Sequence, residues 1–217
     1  MPSPVQRRGE PRWPAMLALI AVGALFWALP PALKFGPDWL FLALVVALTA
    51  PGVCVRSTRH LPLMRFLGYS AVSIMTVAMI GSLWLLVSRL PQHKESPAEL
   101  LRAATALWID NVLVFASWYW RLDAGGPYQR DLRGSHTDGA FLFPQMTLTP
   151  ALRKEMGEAE WSPGFVDYLF LAFNTSTAFS PTDVPVLSRW AKGLMMIQAV
   201  ISLTTIALLA ARAVNIL

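Results

Sequence analysis

The sequence predicts an all-α fold: a polytopic membrane helical bundle of about five transmembrane helices, with a re-entrant, pore-helix-like segment before the last. Three observations lead there. Of 217 residues, 55% are apolar and 14% charged, whereas ordinary globular domains are roughly a quarter charged. The apolar residues gather in charge-free windows, Trp13 to Leu33, Trp39 to Val55, Phe66 to Ser88 and Gly193 to Ala211, of 21, 17, 23 and 19 residues. Each window is long enough as a helix to cross about 30 Å of hydrocarbon. The basic residues behind the net charge of +5 stand in short clusters beside these windows, which argues for a lipid bilayer as partner and against nucleic acid.

In chain order, residues 1–12 read as a cytoplasmic tail, 13–120 as four transmembrane helices, 121–163 as a hydrophilic loop, and 164–217 as the re-entrant segment and final helix. Arg7, Arg8 and Arg12 precede the first window, and Arg56, Arg59 and Arg65 link the second and third, so the positive-inside rule places both segments in the cytoplasm. Ala28-Leu29-Pro30-Pro31 lacks a small-x-small cleavage site, and the first window therefore reads as an integral helix rather than a signal peptide. Pro30-Pro31 and the turn Lys34-Phe35-Gly36-Pro37-Asp38 make a hairpin of the first two spans. The third carries Gly68, Ser70, Ala71, Ser73, Ala78, Gly81 and Ser82, a pattern for close helix packing. Ser96-Pro97-Ala98-Glu99 has the N-cap, N1 proline and N3 glutamate of a helix start. The fourth helix contains Asp110 and ends in Trp118-Tyr119-Trp120-Arg121, an aromatic cluster expected at lipid headgroups. Residues 122–163 hold the apolar island Phe141-Leu142-Phe143-Pro144 and a short helix capped by Thr149.

From Asp167 to Asp183, fifteen uncharged residues lie between two acids, aromatic in the first half and hydroxyl-rich in the second. They are too few to cross a bilayer with ease, so the segment reads as a short descending helix with a returning loop. Such backbone is tolerated at depth only when protein buries it or it lines a wet cavity.

Phe173-Asn174-Thr175-Ser176-Thr177-Ala178-Phe179-Ser180-Pro181-Thr182-Asp183 resembles the pore helix and filter of tetrameric potassium channels, with Phe173, Thr175, Thr177 and Asp183 on that family's Phe, Thr, Thr and final Asp. Phe179-Ser180-Pro181-Thr182 stands where those channels have Val-Gly-Tyr-Gly. Without the glycines that turn successive carbonyls toward the ion, potassium selectivity is not implied. Asp167, Leu169, Phe170, Phe173, Phe179, Asp183, Ser188 and Arg189, with Phe143-Pro144, resemble the final third of the bacterial membrane family called domain of unknown function 1345. That likeness covers about half the chain, has about five spans, and implies architecture without an activity.

Thr175, Thr177, Ser180, Thr182 and Asp183 are the candidate pore lining, with hydroxyls and loop carbonyls replacing ion hydration. A self-satisfied turn, with Asp183 capping the last helix, explains the same residues structurally. Asp110, Asn111 and Gln198 are intramembrane polar residues. Asp110 is either an ion or proton site or a hydrogen-bonding group to a neighbouring helix through Thr204 or Thr205, because an unpaired carboxylate at mid-membrane costs several kcal/mol. Asn174-Thr175-Ser176 matches a glycosylation acceptor inside a membrane segment and is set aside. The histidines His60, His93 and His136 are scattered, and no metal-ligand spacing, phosphate loop or nucleophile elbow occurs. No enzyme, metal or cofactor is therefore expected, and Cys54, being single, cannot form an intramolecular disulfide. The leading function is a conduit for small cations or other small ions in the bacterial inner membrane, homo-oligomeric because one loop cannot enclose a pore. The rival is a non-conducting scaffold or partner subunit. A cytoplasmic amino terminus and five spans put thirteen basic residues inside and five elsewhere, whereas a potassium-channel arrangement needs the pore segment to enter from outside, so either the first hairpin does not span twice or the re-entrant loop is inverted, as in glutamate-receptor channels.

Overall fold

The computed structural model describes residues 10–50, 61–89, 96–133, 136, 138–159, 161–177 and 184–214. Nine α-helices lie among them: α1 (Trp13–Leu25), α2 (Leu40–Thr49), α3 (Leu61–Arg89), α4 (Pro97–Leu122), α5 (Pro127–Arg133), α6 (Pro144–Thr147), α7 (Pro150–Glu155), α8 (Phe165–Thr177) and α9 (Arg189–Val214). Three of them, α3, α4 and α9, are long and apolar enough to cross a membrane.

Among the described residues three helices reach spanning length, and the first two expected spans contain shorter apolar helices. α1 has 13 residues and α2 has 10, about 20 and 15 Å at 1.5 Å per residue. Absence of charge is the wrong measure here, because the first window loses its helical hydrogen bonding well before its charge-free run ends. After Leu25 the chain tightens into a 3-10 turn at Phe26–Ala28, extends at Leu29, and makes a second 3-10 turn at Pro31–Leu33. Two consecutive prolines remove the donors an α-helix needs. α1 and α2 still pair as a hairpin, with the rings of Phe26 and Phe41 stacked 4.5 Å apart.

α4 is the central element and packs against α1, α3, α8 and α9. Its start is the anticipated capping box: Ser96 Oγ accepts the Glu99 N–H at 3.2 Å, and Glu99 accepts the Ser96 N–H at 3.0 Å. Of the small residues on α3, Ala71, Ala78 and Ser82 are buried, with Ser82 donating to the Leu33 carbonyl at 2.9 Å, whereas Ser73 is exposed. The aromatic end of α4 is built into the protein rather than left facing outward. Tyr119 and Trp120 are buried, and all three rings bond inward: Trp118 to Thr76, Tyr119 to Gln198 and Trp120 to Glu10. Their polar tips fasten neighbouring elements.

One end of the bundle collects the chain's crossings. Arg12, Thr49, Met64 and Arg121, from the start of α1, the end of α2, the start of α3 and the end of α4, line one small cavity there. Phe165 at the start of α8 packs edge-on to Trp120, and Phe141 packs on Tyr119, Tyr168 and Trp190. The apolar island therefore plugs this end, with Phe141 and Phe143 buried. An isolated antiparallel bridge joins Phe141 to Val186, and Leu142 N–H donates to the Pro185 carbonyl at 3.0 Å. The segment before α9 is thereby held at the same end at which α8 begins.

Candidate functional site

About three turns along α4 from this end lies a buried polar layer. Asn111 and Trp108 come from α4, Ser176 from α8, and Gln198 and Ser202 from α9. The Gln198 amide donates to the Ala172 carbonyl at 2.7 Å and to Ser176 Oγ at 2.8 Å, and its Oε1 accepts the Tyr119 hydroxyl at 2.5 Å. Asn111 Nδ2 donates to the Gln198 carbonyl at 3.2 Å and to Ser176 Oγ at 3.4 Å. Ser202 donates to the Ser176 carbonyl at 2.6 Å and accepts the Trp108 indole N–H at 3.1 Å. Ser202 thereby satisfies the Ser176 carbonyl, one of the four at the end of α8 that lack an intrahelical partner. Gln198 is fully committed to protein partners, as interhelical polar glue is.

The candidate residues fall into three sets. Asn111, Gln198 and Ser176 meet in one layer. Thr175 and Thr177 lie on α8 with their hydroxyls bonded to their own helix, at Leu171 and Phe173 carbonyls 2.8 and 2.9 Å away. Thr177 is exposed and Thr175 half-buried. Ser180, Thr182 and Asp183 lie outside the described residues. Asp110 stands apart from the layer, one residue and so about 100° around α4 from Asn111. It is wholly buried and neither carboxylate oxygen has a hydrogen-bond partner. Thr204 and Thr205, the anticipated partners, bond instead to the carbonyls of Val200 and Ile201.

The charged end holds a second cluster that spacing did not reveal. Asp123, the first residue after α4, is fully buried. Its Oδ1 accepts the Ala140 N–H at 2.5 Å, and its Oδ2 accepts the Tyr168 hydroxyl at 2.6 Å and lies 2.7 Å from His136 Nε2. Arg130 donates to the carbonyls of Trp120 and Asp123 at 3.0 and 2.8 Å and pairs with Glu10 at 2.8 Å. His136 borders a cleft of about 640 Å³ whose wall also includes Phe141, Met146, Arg153 and Trp161. The available signal was the pairing of a loop histidine with an acid at a helix end, but 13 residues separate them and neither belongs to a spacing motif. Among the described residues, no group of three or more His, Cys, Asp or Glu is arranged to hold a metal ion.

The fold and site thus define a helical bundle with three helices of membrane-spanning length and a short helix pinned beside them by buried polar contacts, compatible with a membrane protein. Comparison with known proteins finds no matching family model, no matching curated protein and no matching solved structure.

Proposed function

We propose that the chain is a multi-pass protein of the bacterial inner membrane in which α8 is a re-entrant helix, and that it acts, as a homo-oligomer, as a channel-like conduit for small ions. The observation that carries this reading is the placement of the two ends of the segment. α8 starts beside Trp120, its Ser176 reaches the polar layer at Asn111, and Val186 bridges back to Phe141 at the starting end. Thirteen residues of α8 extend about 20 Å, enough to reach mid-membrane and not to cross. The end of α8, with Thr175 and Thr177, stands at that depth in this reading, where a chain leaving the helix needs water or protein partners.

In this reading Asn111 and Gln198 hold the tip of α8 in place, and Thr175, Thr177, Ser180, Thr182 and Asp183 line the path. Exposed Val166, Phe170 and Phe173 on α8, with Met196, Val200 and Leu203 on α9, offer the apolar surface against which further copies set their tips on a common axis. Gathering Arg12, Arg65, Arg121 and Arg130 at the end where α8 enters agrees with entry from the cytoplasm. The likeness to domain of unknown function 1345 adds the same architecture and no activity.

Flux in proteoliposomes tests the proposal. Purified chain should pass a small cation down its gradient, and Thr177→Val and Asp183→Asn should change that flux without moving the thermal midpoint. A strictly monomeric protein with no ion-dependent flux leaves the scaffold role instead, which the fully satisfied amide of Gln198 favours.

A further inference from the structure

Arg121 presents a half-buried cation that the protein does not neutralise. Its Nε is sealed from solvent without a hydrogen-bond partner, and no hydrogen bond or ion pair reaches its guanidinium from any described residue. What surrounds it is aromatic rather than acidic: the Trp120 ring 5.3 Å away, and Tyr69 and Tyr128, of which Tyr69 donates its hydroxyl to the Arg121 carbonyl at 2.9 Å. Gly68 makes room for it, because a Cβ there would collide with Nη1. On one side Arg121 shares a small depression with Arg12, Thr49 and Tyr128, and on the other a second one with Arg65, Tyr69 and Tyr128. Of these arginines Arg12 is partly neutralised, by Asp131 at 2.9 Å. Arg65 and Arg121 have no carboxylate among the described residues. A planar guanidinium fork set among tyrosine hydroxyls is suited to a phosphate oxyanion.

A second feature indicates where that oxyanion comes from. On α3, Tyr69, Ser73 and Val77 are spaced i, i+4, i+8 and so share one face. Tyr69 borders the arginine depression, whereas Ser73 and Val77 border an apolar groove of about 420 Å³ with Phe35, Phe41, Ile74 and Gly81. We propose that Arg121, supported by Arg65 and Arg12, binds the phosphate of an anionic lipid, with an acyl chain running along this face of α3 into the groove. Basic pockets between membrane helices on the cytoplasmic side are suited to such headgroups. This inference does not depend on conduction.

The test is native mass spectrometry of the full chain in non-ionic detergent, titrated with phosphatidylglycerol, phosphatidylcholine or inorganic phosphate. Wild type should retain one phosphatidylglycerol in preference to phosphatidylcholine. Arg121→Gln should lower that retention about 5-fold or more, and the distant, exposed Arg102→Gln should leave it unchanged. Ser73→Phe, which fills the groove and keeps all three arginines, should weaken the lipid and spare phosphate. It also serves if Arg121→Gln fails to fold. Phosphate binding that Arg121→Gln abolishes, together with phosphatidylglycerol retention that Ser73→Phe leaves unchanged, would keep the oxyanion site and overturn the acyl-chain groove. Equal phosphatidylglycerol retention by wild type, Arg121→Gln and Ser73→Phe would overturn the proposal entirely.

Discussion

Asp123 Oδ2 and His136 Nε2 stand 2.7 Å apart, and the same carboxylate takes the Tyr168 hydroxyl and the Ala140 N–H. One fully buried side chain therefore ties the end of α4 to the loop and to α8. Asp123→Ala leaves two buried donors without acceptors at about 1–3 kcal/mol each, a loss of about 4 kcal/mol in all. For a chain of this size that lowers the thermal midpoint by roughly 10 °C, readable by intrinsic fluorescence in detergent. Tyr168→Phe, which removes one of the bonds to the carboxylate, should cost about 1.5–3 kcal/mol. A midpoint for Asp123→Ala within about 2 °C of wild type would show that the cluster does not hold the loop.

The polar layer and Asp110 should respond with opposite sign. Gln198→Leu removes three hydrogen bonds, to the Tyr119 hydroxyl, the Ala172 carbonyl and Ser176 Oγ. Interhelical hydrogen bonds in membranes average about 0.6 kcal/mol, so a loss of about 2 kcal/mol is expected. Asp110 has no partners to strand, and replacing a mid-helix carboxylate removes an insertion cost of about 2.5–3.5 kcal/mol. Asp110→Asn should therefore raise the midpoint in a thermal melt. If it lowers the midpoint, Asp110 has a structural partner. If it raises the midpoint and alters flux, the residue serves conduction at the expense of stability.

How far the sequence is readable follows from what each feature depends on. The cap at Ser96, the Thr149 cap, whose Oγ1 accepts the Leu152 N–H, and the 13-residue α8 rest on signals within four or five neighbours, and each is found where expected. The length of α1 differs from expectation because a charge-free window reports transfer from water, whereas Pro30 and Pro31 decide where hydrogen bonding stops. Trp118, Tyr119 and Trp120 read as a headgroup belt because a cation follows them. Their burial comes from α8, α9 and the Phe141 island packing over the end of α4, contacts between segments about 20 or more residues apart. Asn111 and Gln198 are recognisable as costly in lipid, but that they share Ser176 depends on how α8 docks.

The turn from α4 into α5 depends on backbone geometry at Gly126. Its φ is +88°, and a Cβ would stand 2.6 Å from the Arg121 carbonyl oxygen. Its own carbonyl accepts the N–H groups of Gln129 and Arg130, so the turn also aims Arg130 at Glu10. Gly126→Ala should cost about 1–3 kcal/mol. Gly157, with φ +77° and nothing within 4 Å of where a Cβ would stand, provides the comparison, because Gly157→Ala bears the conformational cost without the clash. Equal midpoints for the two variants would show that the Arg121 carbonyl can move aside.

Glu10 allows a prediction in pH. Its carboxylate pairs with Arg130 at 2.8 Å and accepts the Trp120 indole N–H, both of which favour ionisation. Burial works against them more strongly, with Asp131 nearby adding to it, and the pKa is raised above its ordinary 4.5. Below about pH 4.5 the acid is protonated whether the chain is folded or not. As pH rises from there to the raised value, the unfolded chain gives up its proton first, so the folded state loses stability across that window and no further above it. Glu10→Gln retains an acceptor for Trp120 and Arg130 and has nothing to titrate. The midpoint of wild type minus that of Glu10→Gln should therefore fall as pH rises through this window and then level off. A difference that grows with pH would mean that the Arg130 pairing outweighs desolvation and that the amino-terminal segment is fastened by charge.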